Sequence, residues 1–257
     1  MLAKRYGIAP ALANLVFSIF TRFVADVERE ILAKIINITS PIENIDGLSA
    51  RRVKVSLKPI GVNKVLYFYV PPNDVGLSLD VSVFGIREPL HIKWLWKVIK
   101  EVRPRILDIG SNVGYFPILE LEAGARHVIA IEPIPIAFRY LKLNLQNYYD
   151  KVTLINVAVV EDYRDSIRMR IPRVEKSFQL NIARVSSNGD IVVKARNIND
   201  LVNMFKPQMI RMDIEGYEWR LLSTLSDPDY IILIDVETHD SHDIDAVSYT
   251  HLTLPTN

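Results

Sequence analysis

Residues 105–114, which read Arg-Ile-Leu-Asp-Ile-Gly-Ser-Asn-Val-Gly, constrain the fold more than any other part of the chain. A short apolar run ends near Asp108, a loop containing Gly110 and Gly114 follows, and a helical pattern then begins. A strand that passes through a tight glycine turn into a helix brings backbone N–H groups against a ligand. The segment therefore predicts the first strand–helix unit of a parallel α/β sheet with a ligand site at its end.

The spacing of these glycines limits the kind of ligand. It is Gly-x-x-x-Gly, and not the Gly-x-Gly-x-x-Gly that holds a dinucleotide pyrophosphate. A second apolar strand, 127–131, ends at Glu132, where an acidic residue can accept hydrogen bonds from both ribose hydroxyls of a nucleoside. The chain thus has a carboxylate placed to bind ribose but lacks the glycines that bind a diphosphate. This combination predicts a nucleoside ligand without a diphosphate, and S-adenosylmethionine (SAM) fits best.

Strand and helix patterns alternate after residue 100, as expected for a parallel sheet with helical crossovers. We expect strands at 105–109, 128–131, 152–159, 210–213 and 230–236. We expect helices at 90–100, 115–123, 136–147 and 218–225. Segments 166–172 and 190–196 flank a Ser-Ser-Asn-Gly turn signal, which predicts a hairpin inserted before the fourth core strand. The predicted fold class is α/β, with a doubly wound, mainly parallel Rossmann-like sheet.

The chain divides into three predicted parts. Residues 1–100 form an N-terminal, lid-like extension, with a helix over 1–38, a loop over 39–50 and a hairpin of strands 53–57 and 65–70. Residues 101–245 form the ligand-binding core, incomplete at its C-terminal end. Residues 246–257 can be encoded by the end sequence of a transposase-based sequencing adaptor read in frame, so we interpret them as a foreign tail.

Composition excludes some classes of function. The chain has no cysteine, which rules out disulfides, thiolate metal sites and cysteine nucleophiles and fits a reducing compartment, so we expect a cytoplasmic protein. A net charge of +1 gives no strong nucleic-acid signal. The apolar stretch 8–20 is shorter than the roughly 20 residues that cross a bilayer and has helical spacing. It predicts an amphipathic helix that either docks on the domain or contacts a membrane surface.

Carboxylates follow the last two predicted strands. Asp213 and Glu215 come directly after the fourth strand, and Glu237 and His239 follow the fifth with the same spacing. A close carboxylate pair supplies a general base, so these four residues are candidate catalytic groups. Three alternatives stay open: Glu215 caps the next helix, His239 is a surface residue, or the four residues hold Mg²⁺ or Mn²⁺.

Together with these features, the chain resembles the FkbM family of SAM-dependent methyltransferases. The matching motifs stand in the family's order: Val-Pro-Pro-Asn-Asp-Val-Gly-Leu-Ser (70–78), Gly-Ile-Arg-Glu-Pro (85–89), Leu-Asp-Ile-Gly-Ser-Asn-Val-Gly-Tyr-Phe (107–116), Ile-Glu-Pro (131–133), Asn-Val-Ala (156–158) and Arg-Met-Asp-Ile-Glu-Gly-Tyr-Glu (211–218). The resemblance implies methyl transfer from SAM to a hydroxyl oxygen of a sugar or another small hydroxylated metabolite.

The predicted cofactor site follows from the glycine loop and the resemblance together. Gly110, Ser111 and Asn112 would lie beside the methionine part of SAM, and Asp108 would orient their loop or accept from the ammonium group. Glu132 would bind the ribose, and the resemblance implies that Asn156 and Ala158 lie near the adenine. Simpler explanations stay open: Gly110 and Gly114 are turn and helix-packing glycines, Glu132 is a solvated carboxylate at a strand end, and Asn156 is purely structural.

Three rival functions remain. An NAD(P)-dependent oxidoreductase is disfavoured by the glycine spacing. An RNA methyltransferase would need a local basic surface, and the lack of an Asn-Pro-Pro-Tyr motif weighs against methylation of a nucleobase amine. A non-catalytic SAM-binding module is disfavoured by the intact Asp213 and Glu215.

Overall fold

A computed structural model of the chain describes residues 41–74, 76–174, 177–180, 183–226 and 229–236. The predicted N-terminal helix, Glu237, His239 and the predicted foreign tail lie outside these residues. Within the described part, no helix has the length and apolarity needed to cross a membrane.

Strands and helices follow one another in the described residues as β1 (Ile42–Ile45), β2 (Leu48–Ser56), β3 (Val65–Val70), α1 (Leu77–Phe84), α2 (Pro89–Val102), β4 (Arg105–Ile109), α3 (Tyr115–Ala123), β5 (His127–Ile131), α4 (Pro135–Asn144), β6 (Val152–Ile155), β7 (Ala158–Val160), β8 (Ser166–Arg170), β9 (Arg173–Val174), β10 (Ser177–Phe178), β11 (Arg184–Val185), β12 (Ile191–Asn197), α5 (Ile198–Phe205), β13 (Met209–Met212), α6 (Glu218–Thr224) and β14 (Leu233–Val236).

The central sheet has the strand order β14-β13-β4-β5-β6, and all four of its strand pairs are parallel. Strands β4 and β5 are buried except at their first residues, as expected for strands covered on both faces. The strand order reverses at β4, which places the switch point between β4 and β13. Ligands of doubly wound sheets bind at the carboxyl ends of the strands beside such a point. The predicted α/β fold class is confirmed.

The N-terminal hairpin is confirmed and is larger than predicted. Strands β1, β2 and β3 form an antiparallel sheet, so the predicted loop over 39–50 was wrong. Strand β1 and the start of β2 flank a two-residue turn at Asp46 and Gly47, whose φ values are 51° and 75°. Asp-Gly is a strong signal for such a hairpin turn, and it was present in the sequence.

The predicted single strand over 152–159 was also wrong, because it is divided between two sheets. Strand β6 pairs with β5 in the central sheet, whereas β7 pairs with β12 in a second sheet of order β11-β8-β12-β7. Asn156 lies at the division and donates from Nδ2 to the backbone carbonyls of Glu132 (2.7 Å) and Pro133 (3.1 Å). The predicted inserted hairpin is confirmed by the antiparallel pairing of β8 with β12.

Helices α1 and α5 were not predicted, although each has a capping signal. The Oδ1 atom of Asn197 accepts from the backbone N–H of Asn199 at the start of α5 (2.8 Å). The Asp74 carboxylate accepts from the backbone N–H groups of Gly76 and Ser78 at the start of α1. Short polar residues in these positions favour the start of a helix.

Gly110 lies where the ends of β4 and β13 approach most closely. Its φ is 88°, and a Cβ atom there would lie 2.0 Å from the carbonyl oxygen of Asp213. Glycine is therefore required twice, by the left-handed backbone and by the contact between two neighbouring strand ends.

Replacing Gly110 tests this close approach. Gly110→Ala should lower the free energy of unfolding by about 3–5 kcal/mol, the sum of left-handed strain and overpacking. Gly47→Ala is a matched control, since Gly47 has a φ of 75° and nothing within 4 Å of the added atom. It should cost only about 1–2 kcal/mol. Urea denaturation measures both variants, and equal losses would contradict the packing argument.

Candidate active site

A cleft lies at the carboxyl ends of the central strands, beside the switch point. It encloses about 830 Å³, part of it open to solvent, which falls within the range of small-molecule sites. The predicted site residues that line it are Gly110, Ser111, Asn112, Glu132, Ala158, Asp213 and Glu215. The structure thus brings five of the eight predicted cofactor residues and two predicted catalytic carboxylates to one cleft.

Three predicted cofactor residues do not line the cleft and instead support it. Asp108 is fully buried beneath the glycine loop. Gly114 precedes α3 with a φ of 95°, and a Cβ atom there would lie 3.1 Å from a methyl carbon of Leu141. Asn156 fixes the end of β5 through the two carbonyl bonds described above. These residues position the cleft and do not form its surface.

Glu132 both lines the cleft and supports the glycine loop. Its side chain is buried, and its two oxygens accept the backbone N–H groups of Asn112 and Ile134, each at 2.8 Å. Burial raises the pKa of Glu132 to about 7, although these hydrogen bonds oppose the rise. Each carboxylate oxygen has a second lone pair, so the group can still accept from ribose hydroxyls.

Asp108 orients the glycine loop from below. Its Oδ1 atom accepts from the Ser111 hydroxyl at 2.6 Å, and the backbone N–H groups of Gly110 and Ser111 both donate to the Ile131 carbonyl at 3.0 Å. The loop is therefore fixed to β5 through its backbone and to β4 through a side chain. This agrees with the orienting role predicted for Asp108.

Arg211 is a buried cation that sequence reasoning did not single out. Its side chain is 2% exposed, with Nη1 3.6 Å from Asp108 Oδ2 and Nη2 3.2 Å from Asp213 Oδ2. The guanidinium carbon lies 3.4 Å from the centroid of the Phe116 ring, a cation–π contact. Burial lowers the pKa of Arg211, but the neighbouring carboxylates outweigh it and raise the pKa overall. The sequence signal that could have pointed to Arg211 is a single arginine within an otherwise apolar strand.

Glu120 of α3 adds a third acidic group to this cluster. It is fully buried, and burial together with the charge of Asp108 raises its pKa well above the usual range. The raised pKa favours the neutral form of Glu120, which avoids a further negative charge beside Asp108 and Asp213, two residues that share one guanidinium.

Glu218 holds the loop that carries the two candidate catalytic carboxylates. It is 1% exposed, and its oxygens accept the backbone N–H groups of Ile214 and Gly216, each at 2.8 Å. Glu215 adopts a left-handed φ of 57°, so the strand does not continue through it. The Glu218 carboxylate thus receives two N–H groups of the loop that precedes α6, which differs from the helix cap considered for Glu215.

Asp74 joins two segments that cover the cleft. Its carboxylate is 3% exposed and accepts from the backbone of Gly76 and Ser78 before and within α1 and from the backbone N–H of Leu180 in the insertion (3.1 Å). Leu77 and Leu180 both line the cleft. This side chain therefore fastens the inserted segment to the N-terminal extension above the site.

A chain of charges connects the cleft to the end of β14. Arg87 lines the cleft and pairs through Nε with Glu88 Oε1 at 2.8 Å. His91 lies between the carboxylates of Glu88 (3.2 Å) and Asp235 (3.0 Å), and its hydrogen bonds to Asp235 and then Glu88 raise its pKa to about 9. The charged imidazole fixes the start of α2 beside the last described strand.

A divalent metal site was the remaining alternative for the acidic residues at the strand ends. Among the described residues, no three histidine, aspartate or glutamate side chains are grouped so that they could hold a metal ion. Glu237 and His239, which the sequence analysis combined with Asp213 and Glu215, lie outside the described residues.

Comparison with known proteins identifies the family. The profile of the methyltransferase FkbM domain matches residues 108–254, more than half of the chain. No curated protein matches the chain.

The search of solved structures finds methyltransferases. The SAH-bound methyltransferase PaMTH1 of Podospora anserina is 15% identical, with 63% of this chain and 56% of that chain covered and a TM-score of 0.36. The SAH complex of an O-methyltransferase from Bacillus cereus is 15% identical, with 58% and 56% covered and a TM-score of 0.33. The catalytic domain of hMettl16, solved with the MAT2A 3′UTR hairpin 6, is 15% identical, with 63% and 60% covered and a TM-score of 0.32.

In each of these structures the match spans less than two thirds of the neighbour's own length. Because the family profile covers most of the predicted core, the resemblance inferred from the sequence motifs is confirmed. The chain belongs to the FkbM methyltransferase family, and SAM is its cofactor.

Proposed function

We propose that the protein transfers the methyl group of SAM to a hydroxyl oxygen of a sugar or another small hydroxylated metabolite. The observation that carries this proposal is the composition of one cleft: the glycine loop and Glu132 line one part of it, and Asp213 and Glu215 line another. Methyl transfer needs an aligned nucleophile and a group that accepts its proton. The cleft supplies both kinds of residue.

The residues present fit the cofactor. Bound SAM supplies an electrophilic methyl group on a sulfonium centre. Glu132 would accept from the ribose hydroxyls through its remaining lone pairs, and Gly110 to Asn112 would hold the methionine part. Ala158 lines the same cleft from β7, where it would contact the adenine.

In this proposal, Asp213 or Glu215 accepts the proton of the acceptor hydroxyl. Arg211 holds the Asp213 carboxylate at 3.2 Å, which fixes its direction, and Glu218 fixes the backbone that carries Glu215. A carboxylate held in this way accepts the acceptor's proton as the oxygen attacks the methyl group. Glu237 and His239 remain further candidates for this role.

The charge of the cleft favours a neutral acceptor. Among the described residues that line it, Glu132, Asp213 and Glu215 are acidic, and the cation Arg87 is paired with Glu88. An RNA backbone would bring phosphates towards these carboxylates, whereas a neutral polyol donates hydrogen bonds to them. We therefore favour a small hydroxylated acceptor and a cytoplasmic enzyme over an RNA methyltransferase or a non-catalytic module.

The raised pKa of Glu132 predicts how cofactor affinity depends on pH. Ribose hydroxyls donate more strongly to the ionised carboxylate, and this form becomes dominant as pH rises through about 7. SAM affinity should therefore increase between about pH 6 and about pH 8, by a factor of up to ten. Isothermal titration over this range measures the effect.

Glu132→Gln provides the comparison. It should bind SAM more weakly, and the part of the pH dependence that comes from Glu132 should vanish. An unchanged pH profile in this variant would place the ribose elsewhere.

Substitution of the loop carboxylates tests catalysis separately from binding. Asp213→Asn and Glu215→Gln should keep SAM affinity near that of the wild type, because neither residue belongs to the proposed cofactor contacts. For the residue that accepts the proton, turnover should fall by roughly 10²–10⁴. Labelled SAM with pooled sugars, glycolipids and RNA supplies the assay, with and without EDTA.

The outcomes of this assay separate the alternatives. Label in the sugar or glycolipid pools supports the proposal, and label in RNA alone overturns it. Loss of wild-type activity with EDTA would indicate a metal-dependent site. If neither variant slows transfer tenfold, Glu237 and His239 become the candidate bases.

A further inference from the structure

The inserted sheet turns one strongly basic face to solvent. Side chains alternate between two faces along β8 and β12, so that Ile167, Met169 and Val193 are buried while their neighbours in sequence are exposed. The exposed cations of β8, β11 and β12 form what we name the basic face: Arg168, Arg170, Arg184, Lys194 and Arg196. The whole chain has a net charge of only +1, so this concentration is local.

The strand register brings these like charges together. Arg184 lies directly opposite Arg170 in the β11–β8 pair, an arrangement that destabilises a sheet. Arg170 donates to the carbonyl of Asn188 at 3.1 Å and Arg168 to that of Gly189 at 3.5 Å, contacts that orient the guanidinium groups without neutralising them. Among the described residues, no carboxylate forms an ion pair with the basic face.

Two ordinary explanations of surface charge do not account for the basic face. Charged residues often protect the edge strands of a sheet, but Arg168 lies inside this one, opposite Val192 of β12 and bonded through its carbonyl to the N–H of Ser186. Charges that only provide solubility are usually of both signs and interspersed. On this face the acidic Asp165 and Asp190 flank β8 and β12 at their ends, and the charged residues between them are all basic.

We propose that the basic face binds the surface of an anionic lipid bilayer. Lysine and arginine residues close to such a surface each add electrostatic attraction to its headgroups. Val192 lies on the same face, opposite Arg168, and its side chain is 58% exposed. On the docked protein this apolar side chain would lie among the cations, where lipid headgroups meet acyl chains.

A single-stranded nucleic acid fits the same face less well. Proteins that bind single strands combine a positive surface with aromatic rings on which bases stack. The outward-facing residues described on β8, β11 and β12 include no aromatic ring; they are Ser166, Arg168, Arg170, Arg184, Val192, Lys194 and Arg196. These strands supply the charge without an aromatic ring of their own, and the exposed ring of Tyr163 lies beside Arg196 alone of the five cations.

The basic face is the reverse side of a wall of the cleft. Met169 and Val185, which pair across β8 and β11, line the cleft from the inner face of the same strands. Docking would therefore hold the cleft within about one sheet-to-sheet spacing, roughly 10 Å, of the bilayer. This placement would suit a hydroxylated acceptor at a membrane, and that consequence rests on the proposed function. The binding of the basic face to the bilayer does not depend on the proposed function.

Co-sedimentation with vesicles tests the proposal on the full chain. Binding to phosphatidylcholine vesicles that contain phosphatidylglycerol should exceed binding to phosphatidylcholine alone and should be lost in high salt. The triple variant Arg168→Gln, Arg170→Gln, Lys194→Gln should lower the partition coefficient by roughly fivefold per cation, and so by about 100-fold.

A matched control removes the same charge from another surface. Lys93, Lys97 and Lys100 are exposed on α2, and their combined substitution by Gln should leave vesicle binding close to that of the wild type. Circular dichroism and SAM affinity, expected to be unchanged in both triple variants, show that any loss of binding is not a loss of fold.

Three results would overturn the proposal. The first is equal binding to neutral and anionic vesicles. The second is an equal loss of binding in the α2 control, which would indicate a response to net charge alone. The third is a basic-face variant that keeps vesicle binding and loses affinity for a single-stranded RNA oligonucleotide. Because these measurements do not use methyl transfer, failure of the proposed acceptor class would leave them unaffected.

Discussion

The buried guanidinium of Arg211, held between the carboxylates of Asp108 and Asp213, is the interaction on which the cleft depends. The two aspartates mark the ends of neighbouring strands, and each supports one half of the site. Removing one partner from a buried ion pair costs about 3–5 kcal/mol, because a charge is then left without compensation in a medium of low dielectric constant. The raised pKa of Glu120, caused by burial and by the charge of Asp108, belongs to the same balance of charges. The arrangement fixes the glycine loop and the loop after β13 relative to each other.

Around this ion pair, three more buried carboxylates shape the site by accepting backbone N–H groups. Glu132 connects the glycine loop to the start of α4, and Glu218 holds the loop after β13. Asp74 fastens the insertion to α1. Irregular loops carry unpaired N–H groups, and burial without partners would be costly. Ionisable side chains here serve the architecture of the cleft as well as its chemistry.

The sequence was most informative where structure depends on local chemistry. The glycine spacing and the strand-to-helix transition predicted β4, its loop and α3 closely, and the motifs predicted seven of the residues that line the cleft. We predicted one strand over 152–159 and missed its division into two. The division arises because β7 pairs with β12, a strand distant in sequence, in a second sheet. The roles of Arg211 and Asp74 depend equally on partners distant in sequence, so neither periodicity nor spacing revealed them.

Cofactor affinity in an Arg211 variant tests the account most directly. Isothermal titration with S-adenosylhomocysteine should show binding at least about tenfold weaker in Arg211→Gln than in wild type, because the glycine loop loses the support that reaches it through Asp108. Arg220→Gln removes the charge of a guanidinium that is 66% exposed and should bind as wild type does. A folded Arg211→Gln protein with wild-type affinity would contradict the claim that this buried ion pair holds the site together.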